Sequence, residues 1–344
     1  MKTHHVTIMP GDGIGPEVMA ATIKVLKATG VPFHFDFQPI GASTPDGLPD
    51  TALASMRRTR VGLKGPTATP VGGGARSLNV RLRENFDLFA NVRPIRTMSG
   101  IKTRFSDVLI NILIFRENLE DLYAGDEEFL SDKNTSRSSV ISKAHFTEVE
   151  CYRIARYAFN TAVKGGRRRM TIVHKANIIK QGHGMFLEIA QEVARDYPSI
   201  VCDNLIADNC MMQLVQSPER FDCLLAPNLF GDLLSDLCAG LIGGLGFAPG
   251  ANIGEDVAIF EAVHGTAPDI AGKGLANPTS LILSAAMMLD HLDEREAANR
   301  VRAAVDAVLL EGTHVTADAK RAKHVGTDEY VDAVIRALHI TEPA

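Results

Sequence analysis

GDLLSDLCAGLIGG, residues 231–244, begins on the last six residues of the stretch DNCMMQLVQSPERFDCLLAPNLFGDLLSD, residues 208–236. Leu233, Leu234, Leu237, Cys238, Leu241 and Ile242 recur at helical spacing and fall on one arc. Asp232 and Asp236 are four apart, so they share a helical face beside that arc. Like charges so placed repel by roughly a few tenths of a kcal/mol. Mg²⁺ or Mn²⁺ would turn that cost into a binding site, because both take carboxylate oxygens. A solvated helix edge would carry the same spacing. Upstream, residues 221–226 read as an apolar strand that runs into this helix.

The same alternation begins at the N-terminus. Residues 5–9 read as a strand, GDGIGP as a tight turn, and a helix follows with Met19, Ile23 and Leu26 on one face and Gly30 at its end. Strand, glycine turn and helix predict an α/β protein. The glycines give GxGxG followed by proline instead of GxGxxG, and no acidic residue closes a second strand at the expected distance. The Rossmann fingerprint is therefore absent.

At 344 residues the chain is long enough for two domains. Its 45% hydrophobic and 22% charged residues are those of a globular protein. A net charge of −5 argues against nucleic acid, and the basic run Arg167-Arg168-Arg169 reads as a solvated loop. The longest uncharged run, residues 237–254, holds six glycines and a proline, so it predicts no membrane span. Five cysteines without a CxxC pair fit no closed disulfide framework. A reducing compartment, the cytoplasm, is expected. The first strand starts within a few residues of Met1, which leaves no room for a signal or transit peptide.

Between residues 65 and 96 a loop carries three consecutive glycines at 72–74. Arg76, Arg81, Arg83, Arg93 and Arg96 then crowd together with Ser77 and Asn79. Leu82, Phe86, Leu88 and Phe89 interleave them, so the segment is partly buried, and buried arginines need anionic partners. Arginine forks suit carboxylates. Arg116 and Tyr123 follow an apolar run. Residues 126–139 read as a polar loop, and residues 140–146 as an edge strand. Thr147 and Glu150 have capping-box spacing, opening a helix that ends at Gly165-Gly166. Residues 170–173 form a strand that delivers Lys175 and Asn177 at its end, where α/β folds place chemistry. Helices are expected at 184–197, at 280–292 (apolar nearly all round and so buried) and twice more toward the C-terminus.

Taken together, these segments resemble the β-decarboxylating dehydrogenases: isocitrate, isopropylmalate, homoisocitrate and tartrate dehydrogenases. The matching segments are GDGIGPE, KGPTATPVGGGARSLNVRLR, LFANVRP, FRENLEDLYAG, VHKANI, DNCMMQLV, PNLFGDLLSDLCAGLIGGLG and HGTAPDIAGKGLANPTS, in the family's order over nearly the whole chain. The resemblance implies a two-domain α/β/α fold, not a Rossmann fold. Residues 1–96 and 247–344 would form a large discontinuous domain with the NAD-binding loops. Residues 97–246 would form a small domain with the dimer interface and metal aspartates. It implies a metal set of Asp232, Asp236 and Asp208, the last supplied across a dimer. It implies Arg83, Arg93 and Arg116 as clamps for substrate carboxylates, with Asn177 beside Lys175. Lys175 would take the hydroxyl proton and Tyr123 would protonate the carbanion. A lysine that takes a proton near neutral pH needs cationic neighbours.

Ser77 and Asn79 match the positions at which isocitrate dehydrogenases meet the distal carboxylate, so isocitrate is the expected substrate. Thr69, His264, Gly265, Thr266 and Asn277 match the cofactor loops. Family members that use NADP place a lysine and a tyrosine just after HGTAP, where this chain has Asp269 and Ile270. A carboxylate accepts ribose hydroxyls and repels a 2′-phosphate, so NAD is expected. The chain departs from the family at Thr67-Ala68 and at Gln181-Gly182-His183, the latter replacing a usual threonine–acidic pair. A homodimer or higher homo-oligomer is implied, with the helices at 184–197 and 231–243 meeting their copies and burying Leu233, Leu237 and Leu241. The competing readings are homoisocitrate or 3-isopropylmalate as substrate, a non-catalytic regulatory subunit, and a carboxylate-binding protein without redox function.

Overall fold

The computed structural model describes residues 2–69, 76–132 and 137–340. The glycines at 72–74 lie outside them. In chain order the elements are β1 (His4–Met9), α1 (Gly15–Ala28), β2 (Phe33–Phe37), α2 (Asp50–Thr59), β3 (Val61–Lys64), α3 (Leu78–Asn85), β4 (Ala90–Arg96), β5 (Asn111–Glu117), β6 (Asp121–Asp132) and β7 (Arg137–His145). There follow α4 (Glu148–Lys164), β8 (Arg169–His174), α5 (Gly182–Ala194), β9 (Val201–Ile206), α6 (Ala207–Gln216), β10 (Cys223–Ala226), α7 (Asn228–Ile242), β11 (Pro249–Ile253), β12 (Ala258–Ala262), α8 (Thr279–His291), α9 (Arg295–Glu311) and α10 (Thr327–Ile340).

Ten strands form one sheet in the order β2-β1-β3-β12-β11-β4-β5-β10-β8-β9. Its two wings are parallel, and its centre is not. β11 pairs antiparallel with β12 and with β4, and β4 pairs antiparallel with β5 over seven residues. The chain leaves the first wing after β4, builds the second from β5, β8, β9 and β10, and returns at β11. Both faces of the second wing are covered, as the run of apolar residues in parallel strands requires. Along β5, Ile112 and Ile114 join one core with Leu234 and Cys238 of α7, whereas Phe115 joins the other with Ile154 and Phe159 of α4. The period of two in a strand produces that division.

The first glycine turn has a role within the protein. Gly11 and Gly13 have φ of +76° and +59°, and a Cβ at Gly13 would stand 2.0 Å from the Thr266 carbonyl oxygen. Two of the turn's amides are engaged: Asp12 N–H donates to Pro66 O at 2.7 Å and Ile14 N–H to Thr266 O at 2.9 Å. The turn therefore packs three strand exits together, which accounts for glycine there without a bound phosphate. α4 opens as expected, with Thr147 Oγ1 accepting from Glu150 N–H at 3.3 Å. α8 is buried on all sides, and its Ser280 and Ser284 hydroxyls bond to backbone carbonyls.

Two expected loops hold regular elements: α3 and β4 lie within residues 65–96, and part of the loop at 126–139 is a strand. Residues 126–132 continue β6, which pairs with β7 in a separate two-stranded sheet. No core lies under this hairpin, so neither strand alternates polar with apolar, and period-based reading has nothing to detect. The apolar arc on α7 also divides. Leu241 is 5% exposed in the chain's own core, whereas Leu233 is 49% exposed. Eight residues at 100° each rotate a side chain by about 80° net, which carries Leu241 off the face that Leu233 occupies.

Candidate active site

The antiparallel centre of the sheet brings the ends of β3, β12 and β4 close to β5, and a cavity of about 270 Å³ opens there. α3 supplies Asn79 and Arg83, with Ser77 just before it; β4 supplies Arg93, β5 Arg116, β6 Tyr123, and α7 Asp232 and Asp236. All eight were expected at the site, and the fold gathers them from five elements and the residue that precedes α3.

Arg116 is 1% exposed. Its Nε and Nη2 donate to Asn228 Oδ1 at 3.0 and 2.7 Å, and its Nη1 forms an ion pair with Asp232. Gly231 makes room for it, since a Cβ there would stand 2.5 Å from Arg116 Cγ. The guanidinium lies 4.8 Å from the centre of the Tyr123 ring. Tyr123 OH donates to Asp232 Oδ2 at 2.6 Å. Arg93 donates through Nε to Asn91 Oδ1 at 2.9 Å and through Nη1 to Ser235 Oγ at 2.5 Å and to Asp236 Oδ1 at 3.2 Å. Arg83 is buried, and its Nε has no partner.

Burial pushes Arg83 down to about 10, and the neighbouring Arg116 charge adds to the effect. Burial would raise Asp232, but Arg116 and Arg93 hold its carboxyl below the usual range. Asp236 is raised by burial, against the pull of Arg93. Two carboxylates on one helix face, one of them short of positive charge, fit a divalent cation. A buried guanidinium with a free N–H fits an incoming carboxylate.

Lys64 and Glu261 were not anticipated. Lys64 Nζ lies 2.8 Å from Glu261 Oε2, and Asn252 Nδ2 donates to Glu261 Oε1 at 2.6 Å. Burial opposes ionisation of Glu261, but Lys64 and Arg83 take it down to about 2. The available signal was a charge at or near the end of each of two apolar strands, VGLK and AIFEA. The described cavity lining then holds four cations (Lys64, Arg83, Arg93, Arg116) and three anions (Asp232, Asp236, Glu261).

Lys175, Asn177 and Asp208 do not line this cavity. Lys175 Nζ pairs with Asp208 Oδ1, and the exposed Asp208 carboxyl is held low by that bond. Asn177 is exposed in the turn after β8. Among the described residues no group of three or more His, Cys, Asp or Glu is placed to hold a metal. Of the expected cofactor residues, His264 and Gly265 line the cavity. His264 Nε2 is buried without a partner, and a Cβ on Gly265 would meet nothing within 4 Å, so both have room for a ligand. Thr266 O serves the first glycine turn, Thr69 is exposed with Oγ1 3.2 Å from Ser77 Oγ, Asp269 is exposed, and Ile270 packs on the core. The Asn277 amide is spent internally, donating to Asp318 and Gly246 and accepting from Thr279.

A pocket of alternating charge at strand ends, lined by three buried arginines, marks an α/β protein with a cavity that suits a small multiply charged anion. A family model described as isocitrate/isopropylmalate dehydrogenase matches residues 5–334, and the chain belongs to that family. It is 48% identical over 317 residues to a protein of Arabidopsis thaliana named isocitrate dehydrogenase [NAD] catalytic subunit 5, mitochondrial, covering 91% of this chain and 83% of that one. It is 47% identical over 304 residues to the 3-isopropylmalate dehydrogenase, chloroplastic, of Solanum tuberosum, covering 87% and 83%. The crystal structure of isocitrate dehydrogenase from Methylococcus capsulatus superposes with a TM-score of 0.94 at 48% identity, covering 97% of this chain and 99% of that one. Names among the relatives differ in cofactor, NAD or NADP.

Proposed function

We propose that the chain oxidatively decarboxylates isocitrate to 2-oxoglutarate, with NAD as hydride acceptor and Mg²⁺ or Mn²⁺ as the cation. The observation that carries this reading is the convergence of buried Arg83, Arg93 and Arg116 with Ser77 and Asn79 on one cavity. Three guanidiniums suit a tricarboxylate, and a small polar rim suits a distal carboxylate better than an isopropyl group.

Asp232 and Asp236 would hold the cation, which when bound polarises the substrate oxygen and stabilises charge that develops on it. The arginines bind and orient the carboxylates. Tyr123 holds a proton at its OH, beside Asp232, ready for a carbanion. Lys175 takes the hydroxyl proton. His264 and Gly265 would border the NAD, and Asp269 would favour ribose over its phosphate.

Because Lys175 and Asp208 are paired with each other outside the cavity, we propose that both reach the cavity of a second copy, in a homodimer or higher homo-oligomer. Met212 and Val215 share the helix face of Asp208 and are 50% and 49% exposed, which suits an apolar partner surface. The boundaries near Arg96 and Gly246 and a cytoplasmic location belong to the same proposal; the five free thiols are compatible with a reducing compartment. The test is NADH formation by the purified chain with Mn²⁺ and isocitrate, homoisocitrate or 3-isopropylmalate in turn. Isocitrate with NAD should give the highest kcat/KM. No turnover by the chain alone would favour a regulatory subunit, and preference for another acid would replace the substrate.

A further inference from the structure

His183 opens α5 and is 1% exposed. Its Nδ1 accepts the Lys175 backbone N–H at 3.0 Å. The Lys175 carbonyl accepts the N–H groups of Ile178 and Ile179 at 3.0 and 2.9 Å, so both backbone polar groups of that residue are fixed. The imidazole lies between two rings: Phe146 with its centroid at 5.1 Å, and Phe230 at 5.3 Å and 67°. Phe146 joins β7 to α4, and Phe230 stands on α7 two residues before Asp232. The approach of Phe146 depends on the neighbouring residue, because a Cβ on Gly182 would stand 2.4 Å from Phe146 Cδ2. Gly182 and His183 are thus one device. They belong to Gln181-Gly182-His183, which replaces the family's usual threonine–acidic pair, and a side chain at 182 would push Phe146 off the ring.

An imidazole can accept at Nδ1 only when neutral, with its proton on Nε2. Burial keeps His183 below the ordinary histidine range and His174 acts in the same direction, while Asp121 opposes them. The aromatic clamp fixes the ring plane, and the ring fixes where the Lys175 backbone leaves β8.

We propose that His183 is a positioning residue for Lys175, holding the lysine backbone through Nδ1 so that the ammonium is presented together with Asp208. The inference rests on the reading of Lys175 as the proton-handling group. In His183→Phe, which keeps a ring but offers no acceptor, kcat with isocitrate should fall by about tenfold or more, the scale of a displaced catalytic group. KM should stay within about twofold, because Arg83, Arg93 and Arg116 are untouched. His183→Asn, whose Oδ1 can accept the same N–H, should recover most of the rate. Hydrogen exchange of the Lys175 amide should be faster in His183→Phe and near wild type in His183→Asn. Unchanged kcat in the Phe variant, a loss that Asn does not recover, or equal exchange in all three proteins would overturn the proposal. If the wild type does not oxidise isocitrate, the proposed function fails, and the exchange experiment alone decides the role of His183.

Discussion

Tyr123 is the side chain in the cavity best placed to give up a proton. Burial raises its pKa, Asp232 assists as acceptor and neighbouring charge, and Arg116 opposes. The phenol therefore stays protonated until a strong base, such as a substrate carbanion, forms beside it. Tyr123→Phe should lower kcat by about 10²-fold or more, the usual contribution of a positioned acid, with little change in KM. Steady-state kinetics with isocitrate would check this, and a near-normal kcat would remove the tyrosine from the chemistry. Cofactor choice is a second matter at this scale. Asp269 is exposed beside the cavity loop, where a carboxylate would repel a ribose phosphate. The double variant Asp269→Lys, Ile270→Tyr should shift the ratio of kcat/KM for NADP over NAD upward; an unmoved ratio would place the discrimination elsewhere. A third concerns acid stability. The folded pKa of His183 is depressed by burial, so the folded chain binds fewer protons there than the unfolded chain, whose value is about 6.5. Its contribution is complete above that pH and is lost as pH falls from there through the folded value. Urea melts at about pH 7.5 and about pH 5.5 should show a smaller acid loss in His183→Phe than in wild type. Equal losses would assign the acid limb to other groups.

At the scale of elements, the residue patterns were legible where a core lies behind them. Residues 221–226 and 170–173 were read as strands because both faces are apolar, and α8 was read as buried because it is apolar all round. Strand β6 was missed because its faces do not rest on a core, whereas most of its partner β7 was read as the edge strand at 140–146. Phe129 and Val140 are cross-strand partners yet are 68% and 56% exposed, and Ile141 is 44% exposed. Apolar side chains on a two-stranded ribbon are the mark of a surface that needs a partner. The double variant Phe129→Ser, Ile141→Ser should therefore leave the sheet of ten strands folded and weaken self-association. For the proposed dimer, sedimentation velocity should show a shift toward monomer relative to wild type, with unchanged far-ultraviolet circular dichroism. A dimer of unaltered stability would free the hairpin from that role. Lys64 and Glu261 escaped for a related reason. Each is at or near the end of a short apolar strand, and nothing in either strand alone says that β3 and β12 are neighbours. Only the parallel pairing places Lys64 opposite Glu261.

At the scale of the molecule, the charge groups divide into two sets that one chain does not join. Arg83, Arg93, Arg116, Tyr123, Asp232 and Asp236 face one cavity, whereas Lys175 and Asp208 pair outside it. The resemblance alone implied that Asp208 crosses to a neighbour. Under the proposed assembly the ion pair would carry Lys175 across with it, since the two side chains are held together. That difference was invisible in sequence, because residue order says nothing about which side of a cleft a strand end faces. It also makes a sharp prediction. Lys175→Met and Tyr123→Phe homodimers should both be nearly inactive. A heterodimer of the two, co-expressed with distinct tags and purified through both, would contain one site with intact Tyr123 and intact Lys175 and one site with neither. With two equivalent sites in a two-fold dimer, it should retain about half of the wild-type rate. If Tyr123 and Lys175 served the same site from the same chain, each site of that heterodimer would lack one group. Its rate would then stay at the level of the two parents.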